Sequence, residues 1–270
     1  MPIAISEPDA RGYDPLRNRG YAVPFDPKSR RVYVRSMGLS FFTVVFDADD
    51  PQRVGRFWAA ALERELIEGD PGEWATIGGD PRLDFMKVPE DKTTKNRVHL
   101  DWGVPDREAE VQRLIGMGAS RLWDIQEKVG EDNMEWTTLA DPEGNEFCII
   151  QSDQPPGLRL ATVVMDSDEP RRVGRYWGAA LERELVQVEP DKDYWLPGDP
   201  PLSFVKVPES KSTKNRVHLD WYAPDRETEV ARLIGLGATR LWDVKNQDFE
   251  WTTLADVEGN EFCVVQAEGA

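Results

Sequence analysis

The chain has 270 residues and a net charge of −17. That length gives room for about two domains, and the charge has the wrong sign for a phosphate backbone or an anionic membrane face. No nucleic acid and no membrane are therefore expected as partners; the acidity itself reads as solubility.

No stretch approaches the roughly 18 apolar residues of a membrane span. The start, Met1-Pro-Ile-Ala-Ile-Ser-Glu-Pro, lacks the basic and apolar regions of a signal peptide. The expected location is cytoplasmic. Cys148 and Cys263 sit inside apolar strand-like runs and read as buried free thiols in a reducing compartment.

In chain order, residues 1–38 form an N-terminal extension rich in Pro, Gly and Arg. It reads either as a partly ordered tail or as an arm laid on the acidic body. Phe41 to Phe46 is β-branched and aromatic, hence a strand. Asp49-Asp50-Pro51 supplies a helix start, and Val54, Phe57, Trp58, Ala61 and Leu62 form its apolar stripe. Short strands are expected at Trp74–Ile77 and Leu83–Val88, split by the turn Gly78-Gly-Asp-Pro81. The order then returns: a strand at Arg97–Trp102, and a helix opened by Pro105-Asp106 and closed by Gly116 and Gly118. Strands near Arg121–Gln126 and Trp136–Leu139 follow, then the turn Asp141-Pro-Glu-Gly-Asn145 and a strand Glu146–Gln151. That turn lacks the length and spacing of a calcium loop.

All of this is written twice. His99–Trp123 returns as His218–Trp242 with 19 of 25 positions unchanged, and Glu135–Gln151 returns as Glu250–Gln266 with 14 of 17 unchanged. The offset falls from 119 to 115 because copy 1 carries four extra residues near Val129–Asp132. A unit of this length can hold its own core and is too long for a solenoid repeat. The domains are read as 39–151 and 158–268, joined by the Pro-Pro linker 152–157. Each copy is two strand–helix–strands units. The sequence leaves open whether the copies form separate cavities or share strands.

Three segments carry a resemblance. Asp47 to Trp58, Lys95 to Asp101 and Asp141 to Cys148, with their copies Asp166 to Trp177, Lys214 to Asp220 and Asp256 to Cys263, resemble the vicinal oxygen chelate superfamily. That superfamily includes glyoxalase I and bleomycin-resistance proteins. The resemblance implies an α+β fold: two tandem glyoxalase-like domains, each of two βαβββ units with curved mixed sheets around a cavity. It also implies metal ligands on the first and last strand of each unit. Carried over, these fall on Thr43 (or Val45, two residues on), Asp84, His99 and Glu146, and in copy 2 on Thr162, Ser203, His218 and Glu261. Copy 1 could thus offer His99, Glu146 and Asp84 to a divalent metal ion, whereas copy 2 keeps only His and Glu. The alternative is no cofactor.

His99 and His218 are the only histidines. Asp101 and Asp220, two residues on, share their strand face, and Glu146 and Glu261 are expected to join them. Each cluster reads as catalytic acid–base machinery or as a structural polar network. Trp74, Trp195, Trp136 and Trp251 are candidate ligand-binding walls, although core packing fits each of them too. No phosphate loop, Cys-rich zinc motif or Gly-x-Ser-x-Gly elbow is present. The implied function is a lyase- or isomerase-type enzyme on a natural-product or carbonyl metabolite; the alternative is a non-catalytic, drug-sequestering binding protein. The partner is a small molecule, and the protein is a monomer or homodimer.

Overall fold

The computed structural model describes residues 38–129, 132–245 and 250–266, with backbone alone at 127–129 and 132–133. The N-terminal arm therefore lies outside the described residues. Copy 1 runs β1 (Ser40–Ala48), α1 (Pro51–Leu62), β2 (Leu66–Glu68), β3 (Trp74–Ile77), β4 (Leu83–Lys87), β5 (Val98–Val104), α2 (Arg107–Gly116), β6 (Ser120–Val129), β7 (Asp132–Ala140) and β8 (Glu146–Gln151). Copy 2 repeats it as β9 (Arg159–Ser167), α3 (Pro170–Leu181), β10 (Val186–Glu189), β11 (Asp193–Leu196), β12 (Leu202–Lys206), β13 (Val217–Ala223), α4 (Arg226–Leu236), β14 (Thr239–Lys245), β15 (Glu250–Ala255) and β16 (Glu261–Gln266).

The helix starts follow from their caps. Asp50 accepts from Arg53 N at 3.0 Å ahead of Pro51, and Asp106 and Asp225 accept from Ala109 N at 3.1 Å and Thr228 N at 3.0 Å. The strands β2 and β10 have no counterpart in the sequence reading. Three or four residues are too few for a period to show.

The strands pair across the repeat. One eight-stranded sheet runs β14-β15-β16-β13-β1-β4-β3-β2 and the other β10-β11-β12-β9-β5-β8-β7-β6. Each sheet therefore joins the first unit of one copy to the second unit of the other, by antiparallel pairing of β1 with β13 and of β5 with β9. Within each unit the first strand runs parallel to the last, as in β1 with β4 and β13 with β16.

The helical layer runs the other way and ties units of the same copy together. Trp58 on α1 is fully buried and packs on Trp102 and Phe147 of β5 and β8, with ring centroids at 5.8 and 4.8 Å. Its Nε1 donates to Asp141 at 3.2 Å, and the Glu143 carboxylate accepts from Asp49 N at 2.8 Å beside the start of α1. The Asp-Pro-Glu-Gly-Asn turn is thus a joint between the two units of one copy. Trp177 with Asp256, and Glu258 beside α3, repeat it. Truncating so central a ring leaves a large void and removes a donor from a buried carboxylate. Trp58→Ala should cost about 3–5 kcal/mol in denaturant unfolding, and Trp177→Ala the same.

Candidate functional site

Strand alternation sends the residues of each sheet two ways. In the first sheet Val44, Phe46, Phe85, Leu219, Trp221, Phe262 and Val264 enter the helix-covered core. Val45 lies opposite both His218 and Asp84, Thr43 opposite Asp220, and Asp220 opposite Cys263. These residues share the helix-free face. The second sheet repeats the arrangement, with Val164 opposite His99, Thr162 opposite Asp101, and Asp101 opposite Cys148.

At the middle of each helix-free face His, Asp and Cys meet. In the groups His99–Asp101–Cys148 and His218–Asp220–Cys263 one ligating atom from each residue lies within 4.8 Å of the others. The histidine Nε2 stands 3.6 Å from Asp101 Oδ1 in one and 3.5 Å from Asp220 Oδ1 in the other, too long for a hydrogen bond. Both carboxylate Oδ1 atoms and both histidine Nδ1 atoms are buried without a hydrogen-bond partner.

Burial sets the protonation. It pushes the Asp220 carboxyl up to about 7 and raises Asp101 in the same direction. Burial, helped by the positive charge of Lys214, holds the His218 imidazole down at about 3. Both thiols are driven well above their ordinary value by burial and the nearby aspartates. The His218 ring should stay neutral throughout pH 5–8, which imidazole nitrogen shifts in NMR will show; a midpoint near 6.5 would contradict this environment.

The metal set expected from the sequence, His99 with Glu146 and Asp84, is not brought together. Asp84 is on β4 of the first sheet, whereas His99 and Glu146 are on β5 and β8 of the second. The expectation placed both units of one copy around one cavity, but pairing across copies separates them. The four-strand ring in each sheet also fits an ion poorly. Its first-strand position is Val45 or Val164, which cannot ligate. Asp84 is held by Arg82 Nε at 3.0 Å and by Thr76. Glu146 accepts from Lys92 at 3.0 Å and Asn96 N at 3.1 Å, and Glu261 from Lys211 at 2.9 Å and Asn215 N at 3.1 Å. Those glutamates are held by loop lysines and loop backbone and stand outside the His–Asp–Cys groups, although Glu261 still acts on His218 through its charge. The set that could hold a divalent ion is His–Asp–Cys, one group per copy, with imidazole, carboxylate and sulfur donors of the kind zinc accepts. The cysteines were read from sequence as core alone; their place two residues after Glu146 and Glu261 puts them on the same face.

The four tryptophans all lie on helix-free faces. Trp74 is buried, Trp136 and Trp251 are half-buried, and Trp195 is 39% exposed. Trp74 and Trp195 are not equivalents. Trp195 lies opposite Ser203, the place that Thr76 holds opposite Asp84. Open hollows of about 540 and 780 Å³ lie elsewhere, beside the starts of α3 and α1, lined largely by charged side chains and by neither histidine.

A family model described as "Glyoxalase-like domain" matches residues 43–150 and again 162–265. No curated protein matches the chain. Among solved structures, glyoxalase I from Zea mays aligns at 15% identity and TM-score 0.61, covering 85% of this chain and 92% of that one. A putative dioxygenase from Bacillus subtilis aligns at 16% identity and TM-score 0.60, covering 87% and 86%. At such identities the likeness is one of fold. Among the described residues no helix is long and apolar enough to cross a membrane.

Proposed function

The chain belongs to the glyoxalase-like domain family, in two tandem copies, and from that premise we propose that it is an enzyme of lyase or isomerase type that moves a proton on a small carbonyl metabolite. The observation that carries this is the duplicated His–Asp pair, with His Nε2 facing Asp Oδ1 at 3.6 and 3.5 Å and both Oδ1 atoms buried without a hydrogen-bond partner. Asp220, poised near neutrality, suits proton exchange at physiological pH. A neutral His218 suits donation of a hydrogen bond to a carbonyl oxygen. Two groups pushed apart in this way are a recurrent mark of divided acid–base roles.

A second reading has its own observation. The atoms of the His–Asp–Cys groups are spaced closely enough for one ion, and a divalent metal there would polarise a bound carbonyl.

The test is deuterium exchange from heavy water into a panel of small aldehydes and ketones, followed by proton NMR. Asp101→Asn with Asp220→Asn should slow exchange about 10²–10⁴-fold. With Asp220 as base, the rate should climb as pH rises through about 7. A stoichiometric ion that is lost in His99→Ala with His218→Ala favours the metal-assisted form. Binding of a planar ligand with no exchange on any panel member sinks the enzyme reading and leaves sequestration.

A further inference from the structure

The two sites keep the same centre and differ along one wall. Thr43 and Thr162, Val45 and Val164, and the His, Asp and Cys residues all match. The wall contributed by the first unit does not. Where the first sheet has Phe42, Thr76, Arg82 and Asp84, the second has Ala161, Trp195, Pro201 and Ser203; Tyr222 beside them is answered by Gly103. These five differences share the helix-free face; the copies also differ in the core, as at Phe57/Tyr176 and Ala75/Tyr194, so what marks this wall is its chemistry.

Arg82 is the chemically consequential member. It lies in line with the centre: Thr43 Oγ1 donates to Arg82 O at 3.1 Å, and Thr43 faces Asp220. Strands are about 4.8 Å apart, so a long side chain two strands from Asp220 reaches the middle of the face. The guanidinium lies 5.0 Å over the Phe42 ring, which stacks on Tyr222 at 4.1 Å. Its Nε edge is given to both oxygens of Asp84, at 3.0 and 3.1 Å. Its Nη2 is buried and has no hydrogen-bond partner. A buried guanidinium nitrogen without an acceptor is costly, and the acceptor that best satisfies it is a carboxylate. In the second sheet Pro201 offers no donor, and Ser203 instead shares a hydrogen bond with Thr162 at 3.1 Å.

We infer that the site on the first sheet takes a small organic carboxylate, gripped at Arg82 Nη2 and flanked by Phe42 and Tyr222, and that its twin on the second sheet does not. The inference rests on reading these faces as ligand sites, but not on any reaction there. Asp84 already offsets much of the guanidinium charge, so a simple carboxylate binds weakly, and selectivity is the informative quantity.

The chain provides its own reporters, because it has only two histidines, one in each site. Sodium benzoate is titrated into the full chain while the two imidazole signals are followed by NMR, with His99→Gln assigning them. Benzoate should move the His218 signals saturably and leave those of His99 in place. Benzamide, its neutral counterpart, should bind at least tenfold more weakly. Arg82→Gln should weaken benzoate at least tenfold. Arg82→Gln with Asp84→Asn leaves no lone buried charge and should do the same, an unchanged His99 signal reporting an intact fold. Benzoate that moves both histidines alike, fails to bind at 50 mM, is matched by benzamide, or binds the double variant as well as the parent overturns the inference. None of these outcomes touches the proton-transfer reading, which is carried by the His–Asp pairs present in both sites and is tested by exchange, with no role for Arg82.

Discussion

Produced alone, residues 39–151 will form a homodimer. In the full chain β1 and β5 are inner strands, each paired with a strand of the other copy over six residue pairs. A lone copy would expose both edges, and unpaired inner strands of this length seek a partner. The partner is available in a second molecule, because β5 (Val98-His-Leu-Asp-Trp) reads the same as β13 (Val217-His-Leu-Asp-Trp) over its first five residues. The helical joint at Trp58 and Asp141 lies inside the copy and survives. Two molecules exchanging β1 and β5 therefore rebuild both sheets with closed symmetry. Light scattering should give twice the fragment mass, and its thermal midpoint should rise with concentration, as for any fold coupled to association. A stable, concentration-independent monomer would show that the ladders between copies are dispensable. In that dimer Asp84 of one molecule would share a sheet with His99 and Glu146 of the other, the grouping the linear sequence suggested and the natural chain separates.

What the sequence discloses follows from how local each feature is. The capped helix starts at Asp50 and Asp106, the stripes around Trp58 and Leu114, and the strand faces of His99 and Asp101 depend on neighbours within a turn or two, and the structure has them. The exchange of strands between copies depends on which of two nearly identical edges β1 meets, and near-identity is what hides that choice. Asp84 was misassigned for this reason: its face was right and its sheet was not. The partners of the glutamates escape the sequence for another reason. Glu146 and Glu261 have metal-ligand chemistry, but Lys92 and Lys211 reach them from loops with no period to place them. Trp74 and Trp195 look paired by residue type, yet a count from the shared strands puts Trp195 at the place of Thr76.

Asp220→Asn should stabilise the protein at pH 8 and leave it nearly unchanged at pH 4, in material stripped of divalent ions. The sign follows from linkage. The Asp220 carboxyl is raised to about 7 in the folded state, against about 3.8 when exposed. The folded protein therefore holds this proton more tightly than the unfolded chain does. That contribution is complete below about 3.8 and is lost as pH rises through about 7. By pH 8 a buried carboxylate without a hydrogen bond to its Oδ1 is being forced to ionise, and an amide removes that burden. Asp101→Asn should act in the same direction, since Asp101 is raised by the same burial. A gain on the order of 1 kcal/mol would move the thermal midpoint by about 2–4 °C in a chain of this size. His218 opposes this on the acid side. With its ring depressed to about 3, stability falls as pH drops from about 6.5 towards 3, so His218→Gln should protect at pH 4 and not at pH 8. Melting curves of the variants at both pH values decide between the two roles open to this cluster. A carboxylate that ties the fold together loses stability when replaced at either pH. A carboxylate kept for chemistry gives stability back, because its unpartnered state is a cost that the fold alone does not require.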